Sequence, residues 1–252
     1  MELKVISFNI RHCNDPEGNS VAERAPRLYE VISKYSPDVM GFQELRTQWE
    51  PYLEEYFKNE YEMFNKYRAG AQDHEAAPIF WRRDKFECLK TGYFWLSDTP
   101  ECESRGWDEV FNAWRMCEYV VLKERESGKQ FVFINTHFGF GDNCQRKSAD
   151  LIFEYSKKIS DLPTFVTGDF NMKPDTVGYK QMTKHFVDVN AATRNDMRMT
   201  YHAYHPENIT DEHIDYCFIN EKITPIDYKL LDDSVNGKYP SDHFGIMATI
   251  EL

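Results

Sequence analysis

A series of short apolar runs in this sequence ends in side chains that can hold a cation, bind a phosphate or move a proton: Asn9, Glu44, His137, Asp169 with Asn171, Asp215, and Asp242 with His243. One polar residue after a strand ordinarily marks no more than the start of a turn. The residue types here say more. Carboxylate and amide oxygens suit a hard cation such as Mg²⁺ or Mn²⁺, which keeps several waters and takes few protein ligands. The two histidines, with no thiols beside them, suit hydrogen bonding to phosphate better than a structural zinc site. Together the set could carry out metal-assisted hydrolysis of a phosphate ester. The sequence has no GxxxxGK[ST] phosphate loop, no GxGxxG and no GxSxG, so nucleoside-triphosphate hydrolysis, dinucleotide binding and a serine nucleophile lose support.

Strand ends gathered at one edge of a sheet can place such groups in a common cleft on a rigid frame. Residues 3–8 alternate apolar and polar and end at Asn9, as a half-buried strand does. Leu28, Val31 and Ile32 share a helical face, with Pro37 just past its end. Val39-Met40-Gly41-Phe42 reads as a buried strand delivering Gln43 and Glu44, and Trp49, Leu53, Tyr56 and Phe57 have helical spacing. Further strands are expected at residues 79–81, 119–122, 131–134, 165–167, 213–216 and 244–250. Ser127-Gly128 turns a β-hairpin, and a helix carries Leu151, Ile152 and Tyr155. Strands outnumber helices, and two packed sheets with helices outside is the architecture this order predicts.

The 252 residues are 41% hydrophobic and 15% aromatic, enough for a sizeable core and against disorder. No repeat, low-complexity tract or linker-like shift divides them, so a single domain over 1–252 is expected. The net charge of −12 opposes an electrostatic grip on long nucleic acid, and setting aside the acids of the site still leaves it strongly negative. No apolar run approaches the ~18 residues of a membrane span. Met1–Val5 lacks the basic and apolar regions of a signal peptide, and the scattered cysteines (13, 88, 102, 117, 144 and 217) form no CxxC pair. A cytoplasmic protein with free thiols is expected.

Taken in order, Ser7-Phe8-Asn9-Ile10-Arg11, Gln43-Glu44, Asn135-Thr136-His137, Gly168-Asp169-Phe170-Asn171, Ile214-Asp215-Tyr216 and Ser241-Asp242-His243 resemble the motifs of the endonuclease/exonuclease/phosphatase superfamily, the DNase I-like phosphoesterases. Phe94-Trp95-Leu96-Ser97-Asp98-Thr99-Pro100 and Gly106-Trp107-Asp108 resemble a bacterial branch related to its deadenylase-like members. The resemblance implies an α/β fold, a four-layered α/β/β/α sandwich. It implies Glu44 as the principal metal ligand, with Asn9 and Asp242 beside the metal. Asp169 would orient or deprotonate the attacking water, and Asn171 would hold the phosphate and Asp169 in register. His243 would donate to phosphoryl oxygens with Asp215 fixing its tautomer, and His137 would do likewise. Glu75, in His74-Glu75-Ala76-Ala77-Pro78, matches the acid that pairs with that second histidine in several branches; a solvated loop acid is the alternative.

The activity implied is Mg²⁺-dependent (or Mn²⁺-dependent) hydrolysis of a phosphate ester, of phosphodiesterase or nuclease type, by direct attack of an activated water. A phosphomonoesterase or a phosphodiesterase acting on lipid or sugar head groups is the alternative. A non-catalytic phosphate- or nucleic-acid-binding module would be expected to lack members of the set, and none is missing. RNA or DNA ends, nucleotide-like molecules and other phosphodiesters all remain as substrates, and no protein partner is expected. Arg68, Arg115 and Arg146 either bind substrate phosphates or serve as ion-pair partners. Trp81, Trp95, Trp107 and Trp114 read as packing, and Tyr201-His202 either touches substrate or packs. His12, His74, His185, His205 and His213 have no assigned role.

Overall fold

Leu3, Val5, Ile6 and Phe8 are all buried, and the strand they build, β1 (Glu2–Asn9), runs through the middle of a six-stranded sheet. The computed structural model that shows this describes residues 1–70, 75–208 and 211–252; His74 lies outside the described residues. β1 pairs in parallel with β2 (Val39–Gln43), aligning Asn9 with Gln43, and antiparallel with β12 (Gly245–Glu251). β11 (Thr224–Leu231) flanks β12, and β4 (Ile79–Arg82) and β3 (Tyr61–Phe64) complete the other side, giving the order β11-β12-β1-β2-β4-β3.

The second sheet also has six strands: β5 (Phe86–Trp95), β6 (Met116–Glu124), β7 (Gln130–His137), β8 (Thr164–Asp169), β10 (Asp215–Ile219) and β9 (Val187–Asp188), in that spatial order. β6 and β7 form the expected hairpin. The sheets meet through a core that includes Leu3, Val5, Val39, Phe133, Phe165 and Ile246. α1 (Val21–Tyr35) and α2 (Glu50–Phe57) pack on the outer face of the first sheet, and α3 (Asp142–Ile159) and α4 (Val177–Met182) on the outer face of the second. A short α5 (Val189–Ala192) precedes the long connection to β10. The result is the four-layered α/β/β/α sandwich. No helix among the described residues is long and apolar enough to cross a membrane.

α1 begins in a capping box, in which Ser20 and Glu23 satisfy each other's backbone amides, and ends at Ser36 in the left-handed conformation before Pro37. Its Arg24 is fully buried. The guanidinium donates to the carbonyls of Ile10, Arg11, Cys13 and Asn19 and lies 5.0 Å from the ring of Trp49, whose own Nε1 donates to Arg11 O at 2.9 Å. This is how the loop after β1 is fixed: an always-charged fork gathers carbonyls that would otherwise be buried without partners.

Asn135 on β7 joins the two sheets. Its Nδ2 donates to Phe42 O at 2.7 Å and to the carbonyls of Ala77 and Pro78, each at 3.1 Å. Its Oδ1 accepts from Gln43 Nε2 at 2.8 Å and Thr167 Oγ1 at 2.9 Å. Gly41 makes room for this junction, since a Cβ there would stand 2.5 Å from Asn135 Oδ1. The ends of β2, β7 and β8 that lead to Glu44, His137 and Asp169 are therefore held by one buried amide.

Candidate active site

β7 and β8 run parallel with His137 opposite Asp169, and β8 and β10 run antiparallel with Asp215 opposite the same Asp169. Three of the candidate side chains thus stand on one rung across three neighbouring strands. Asp169 is the centre. Its Oδ2 accepts from Asn9 Nδ2 at 2.9 Å and lies 3.6 Å from His137 Nε2 and 3.7 Å from His243 Nε2, while its Oδ1 accepts from the Asn171 amide at 3.0 Å. The Asn171 side chain is fixed by donating to Phe138 O at 3.0 Å.

Each imidazole has an acid behind it. Asp215 Oδ2 is 2.9 Å from Nδ1 of His243, and the Asp215 backbone is pinned by its amide donating to Thr200 Oγ1 at 3.1 Å. Burial works against charge on His243, but Asp215, helped by Asp169 and Asp242, outweighs it and raises the ring to about 10. Glu75 Oε1 lies 3.4 Å from His137 Nδ1 and 2.9 Å from Arg68 Nη1, and Arg46 Nη2 is 3.7 Å from the other oxygen. Burial pushes the Glu75 carboxyl up, yet Arg68 and His137 prevail and hold it at about 2. The acid of the 75–78 segment is therefore a buried ion-pair partner and not a solvated one.

Asn9 donates to both Glu44 Oε1, at 3.0 Å, and Asp169, so it bridges the two carboxylates; its Oδ1 is occupied by the Arg11 amide at 3.0 Å. Glu44 also accepts from the backbone and the ring of His12. Its burial favours the neutral acid, but the His12 hydrogen bonds and the charge of His137 keep it well below the usual carboxylate range. Asp242 and Asp169 move the other way, upward, chiefly through burial, with Glu44 pressing on Asp242 and Asp215 on Asp169. Arg11, Glu44 and Asn171 each follow a strand end and adopt φ of 57°, 63° and 49°. Asn tolerates the left-handed region, whereas Arg and Glu are strained there by about 1–3 kcal/mol each, which the surrounding hydrogen bonds must offset.

These groups line a cavity of about 620 Å³, together with Arg11, Arg46, Arg68, Arg115, Phe111, Phe140 and Tyr201. Of the sequence-proposed residues, Glu44, Glu75, His137, Asp169, Asn171, Asp242 and His243 line it directly, and Asn9 and Asp215 stand behind as hydrogen-bond partners. Arg68 and Arg115 also face it, Arg115 being paired with buried Asp108 at 3.2 Å. Arg146 is exposed on α3 beside Asn143 and Asp150. His202 is a packing residue, fully buried against Phe244 and Tyr239, and that burial lowers its ring to about 3. The cavity residues without a role from the sequence are Arg11, His12 and Arg46, whose one signal was their position shortly after strand ends, and Phe111, Ala113, Phe140 and Glu212, which carried none.

The donor set fits a hard divalent cation. Glu44 and Asp242 line the same cavity as Asp169, which Asn9 ties to Glu44. Burial pushes Asp169 and Asp242 towards the neutral form, with Asp215 adding to the first and Glu44 to the second, an excess of negative charge that a bound cation would offset. Asp169, Asp215 and His243 also bring ligand atoms within 4.8 Å of one another. There the Asp215–His243 hydrogen bond already uses the facing atoms, so this trio is better described as a proton-holding pair beside Asp169.

Comparison with known proteins agrees with this geometry. The model of the Endonuclease/Exonuclease/phosphatase family matches residues 6–243. An endonuclease/exonuclease/phosphatase family protein from Bacteroides thetaiotaomicron, 28% identical, superposes with a TM-score of 0.91 over 100% of this chain and 99% of its own. A mannosyl-6-phosphatase from the same organism is also 28% identical, with a TM-score of 0.90 over 99% and 100%. The D. rerio TDP2 complexed with single-strand DNA product, at 19% identity and a TM-score of 0.76 over 100% and 99%, shares the DNase I-like fold. The chain belongs to the Endonuclease/Exonuclease/phosphatase family, whose members are hydrolases acting on phosphate esters.

Proposed function

We propose that the protein is a Mg²⁺-dependent phosphoesterase that removes phosphate from a small phosphorylated molecule by direct attack of water at phosphorus. The observation that carries this reading is the cavity of about 620 Å³, in which Asp169 stands between two acid-backed imidazoles and arginines 11, 46, 68 and 115 face the same space. That volume suits a small ligand. The density of cationic donors suits a dianionic phosphate. The 28%-identical mannosyl-6-phosphatase supports a monoester, and the net charge of −12 weighs against a long nucleic acid.

In this reading Glu44 and Asp242 hold the metal, with Asn9 beside them setting the spacing of Glu44 and Asp169. A bound Mg²⁺, or Mn²⁺, would supply positive charge at the phosphate and lower the pKa of a bound water. Asp169 accepts the proton of the attacking water, and its rotation is prevented by Asn9 on one oxygen and the Asn171 amide on the other. Asp215 keeps a proton on Nδ1 of His243, and the charged ring donates from Nε2 to a phosphoryl oxygen as negative charge builds there. His137, backed by Glu75 and Arg68, serves the opposite side of the phosphate.

The test is turnover of purified protein in Mg²⁺ on hexose 6-phosphates, nucleoside 5′-monophosphates, glycerol 3-phosphate, a dinucleotide, single-stranded RNA and DNA, and sphingomyelin, each repeated after chelation. Metal-dependent release of phosphate from a small monoester is expected. Cleavage confined to the diesters would replace the monoester reading with a phosphodiesterase or nuclease. Turnover that survives complete chelation would remove the metal from the mechanism.

A further inference from the structure

On the cavity wall, Phe111 is 66% exposed, yet the chain around it is tightly fastened. Asp108 is buried and accepts from the amides of Val110 and Phe111 through one oxygen, at 3.0 and 2.9 Å, and from Arg115 Nε through the other, at 3.2 Å. The next residue, Glu109, donates its amide to Phe140 O at 3.0 Å and accepts from the Cys144 amide at 3.3 Å. Glycines 139 and 141 permit this approach, since a Cβ on the first would stand 2.8 Å from Asp108 Cβ and one on the second 2.5 Å from Glu109 Cδ. The outcome is a Phe111 ring set edge-on to Phe140, centroids 5.3 Å apart, on a rigid support three residues beyond His137.

An aromatic ring held in place while left in water gains little for folding, because its apolar area is not removed from solvent. It is prepared to bury something else. Stacked or edge-on contact with an aromatic face favours a partner that presents polarised C–H bonds over that face. Polar groups of Tyr201, Asn171 and Arg115 stand around the same space. A ligand that fits has one apolar face and a hydrogen-bonding rim.

We propose that Phe111, seated on Phe140, is the specificity-determining wall for the alcohol half of the substrate, and that this half is a pyranose ring whose C–H face lies on the aromatic pair while its phosphate reaches Asp169. The inference rests on the monoesterase reading above and adds to it the part of the substrate that does not react. The phosphate is held by the histidines and the cavity arginines whatever the alcohol. Phe111 therefore contributes to binding only when a ring is attached.

The experiment compares wild type, Phe111→Ala and Phe111→Trp on mannose 6-phosphate, glucose 6-phosphate, adenosine 5′-monophosphate and glycerol 3-phosphate in Mg²⁺. Because Phe111 is exposed, both variants should fold, which circular dichroism and Tm verify. Phe111→Ala should raise KM for the hexose phosphates about tenfold, leave kcat nearly unchanged, and leave glycerol 3-phosphate unaffected; Phe111→Trp should restore the hexose KM. Equal effects on hexose and glycerol phosphates, or none on either, overturn the wall while the monoesterase reading stands. A loss confined to adenosine monophosphate overturns the sugar assignment. If wild type hydrolyses none of these monoesters, the reading and the wall fall together.

Discussion

Asp215 holds Nδ1 of His243 at 2.9 Å, and both side chains are buried, so the ring is kept charged and its Nε2 points to Asp169 3.7 Å away. Charge inside a protein is costly unless it is paired, and here the pairing fixes orientation and protonation together. In Asp215→Asn the ring loses its main support. We expect kcat to fall roughly a hundredfold with the fold intact. The pH profile should change as well. A histidine raised to about 10 stays protonated across neutral pH. Without Asp215 it would lose its proton at a lower pH, so the alkaline limb of the variant's kcat should move down. Identical profiles would separate this pair from the reaction.

Glu44→Gln keeps shape and removes charge. The carboxylate is ionised in the fold, held by His12 and Asn9, and an amide in its place binds a hard cation poorly. Titration calorimetry with Mg²⁺ should show affinity weakened by an order of magnitude or more, and kcat should drop with it. Unchanged Mg²⁺ binding would move the metal away from this residue.

Asn135→Ala tests the joint between the sheets. Removing the amide strips partners from Gln43, Thr167 and the carbonyl of Phe42, all in the interior. Leaving buried polar groups unpaired costs about 1–3 kcal/mol each, partly recovered by relaxation, so a loss of roughly 3 kcal/mol is expected. Urea denaturation should register it, with kcat falling as well because β2, β7 and β8 lose their common register.

The strands that were readable from sequence are β1, β2, β4, β6, β7, β8, β10 and β12, which are the inner strands of both sheets. Those not anticipated, β3, β5, β9 and β11, are the four edges. Inner strands are buried on both faces and read as apolar runs, whereas an edge such as β5, with Glu87, Lys90 and Thr91 outward, resembles a loop. The site followed the same division. Asn9, Glu44, His137 and Asp169 were visible because each closes or follows an apolar run; Asp215, expected at a strand end, instead opens β10 and faces Asp169 because β10 runs antiparallel to β8. His12 on Glu44, Arg46 by Glu75 and the Arg24 fork on the Ile10 loop depend on contacts between segments distant in sequence, and nothing periodic announces them.

Glu118 was also silent in the sequence, as one acid within a strand. It is fully buried on β6 and accepts from the amides of Lys66 and Ala77, each at 3.0 Å, on either side of the segment that carries Arg68 and Glu75. Burial, only partly opposed by those amides, raises it to about 8. The folded protein therefore keeps this proton from pH 4.5 to about 8, where the unfolded chain has lost it. Stability from this group is fully present below pH 4.5 and declines as pH rises through about 8, by at most about 1.4 kcal/mol per pH unit. Glu118→Gln does not titrate, so its unfolding free energy should fall less steeply than wild type between pH 5 and 8. Parallel curves would refute the buried proton.

The central claim is that water, deprotonated by Asp169, displaces the alcohol from phosphorus in one step with no phosphoryl-enzyme. The stereochemical course at phosphorus tests it most directly. Hydrolysis of a substrate phosphorothioate made chiral with oxygen isotopes, carried out in isotopically distinct water, should give thiophosphate of inverted configuration. Retention would mean two displacements through a covalent intermediate and would contradict the account.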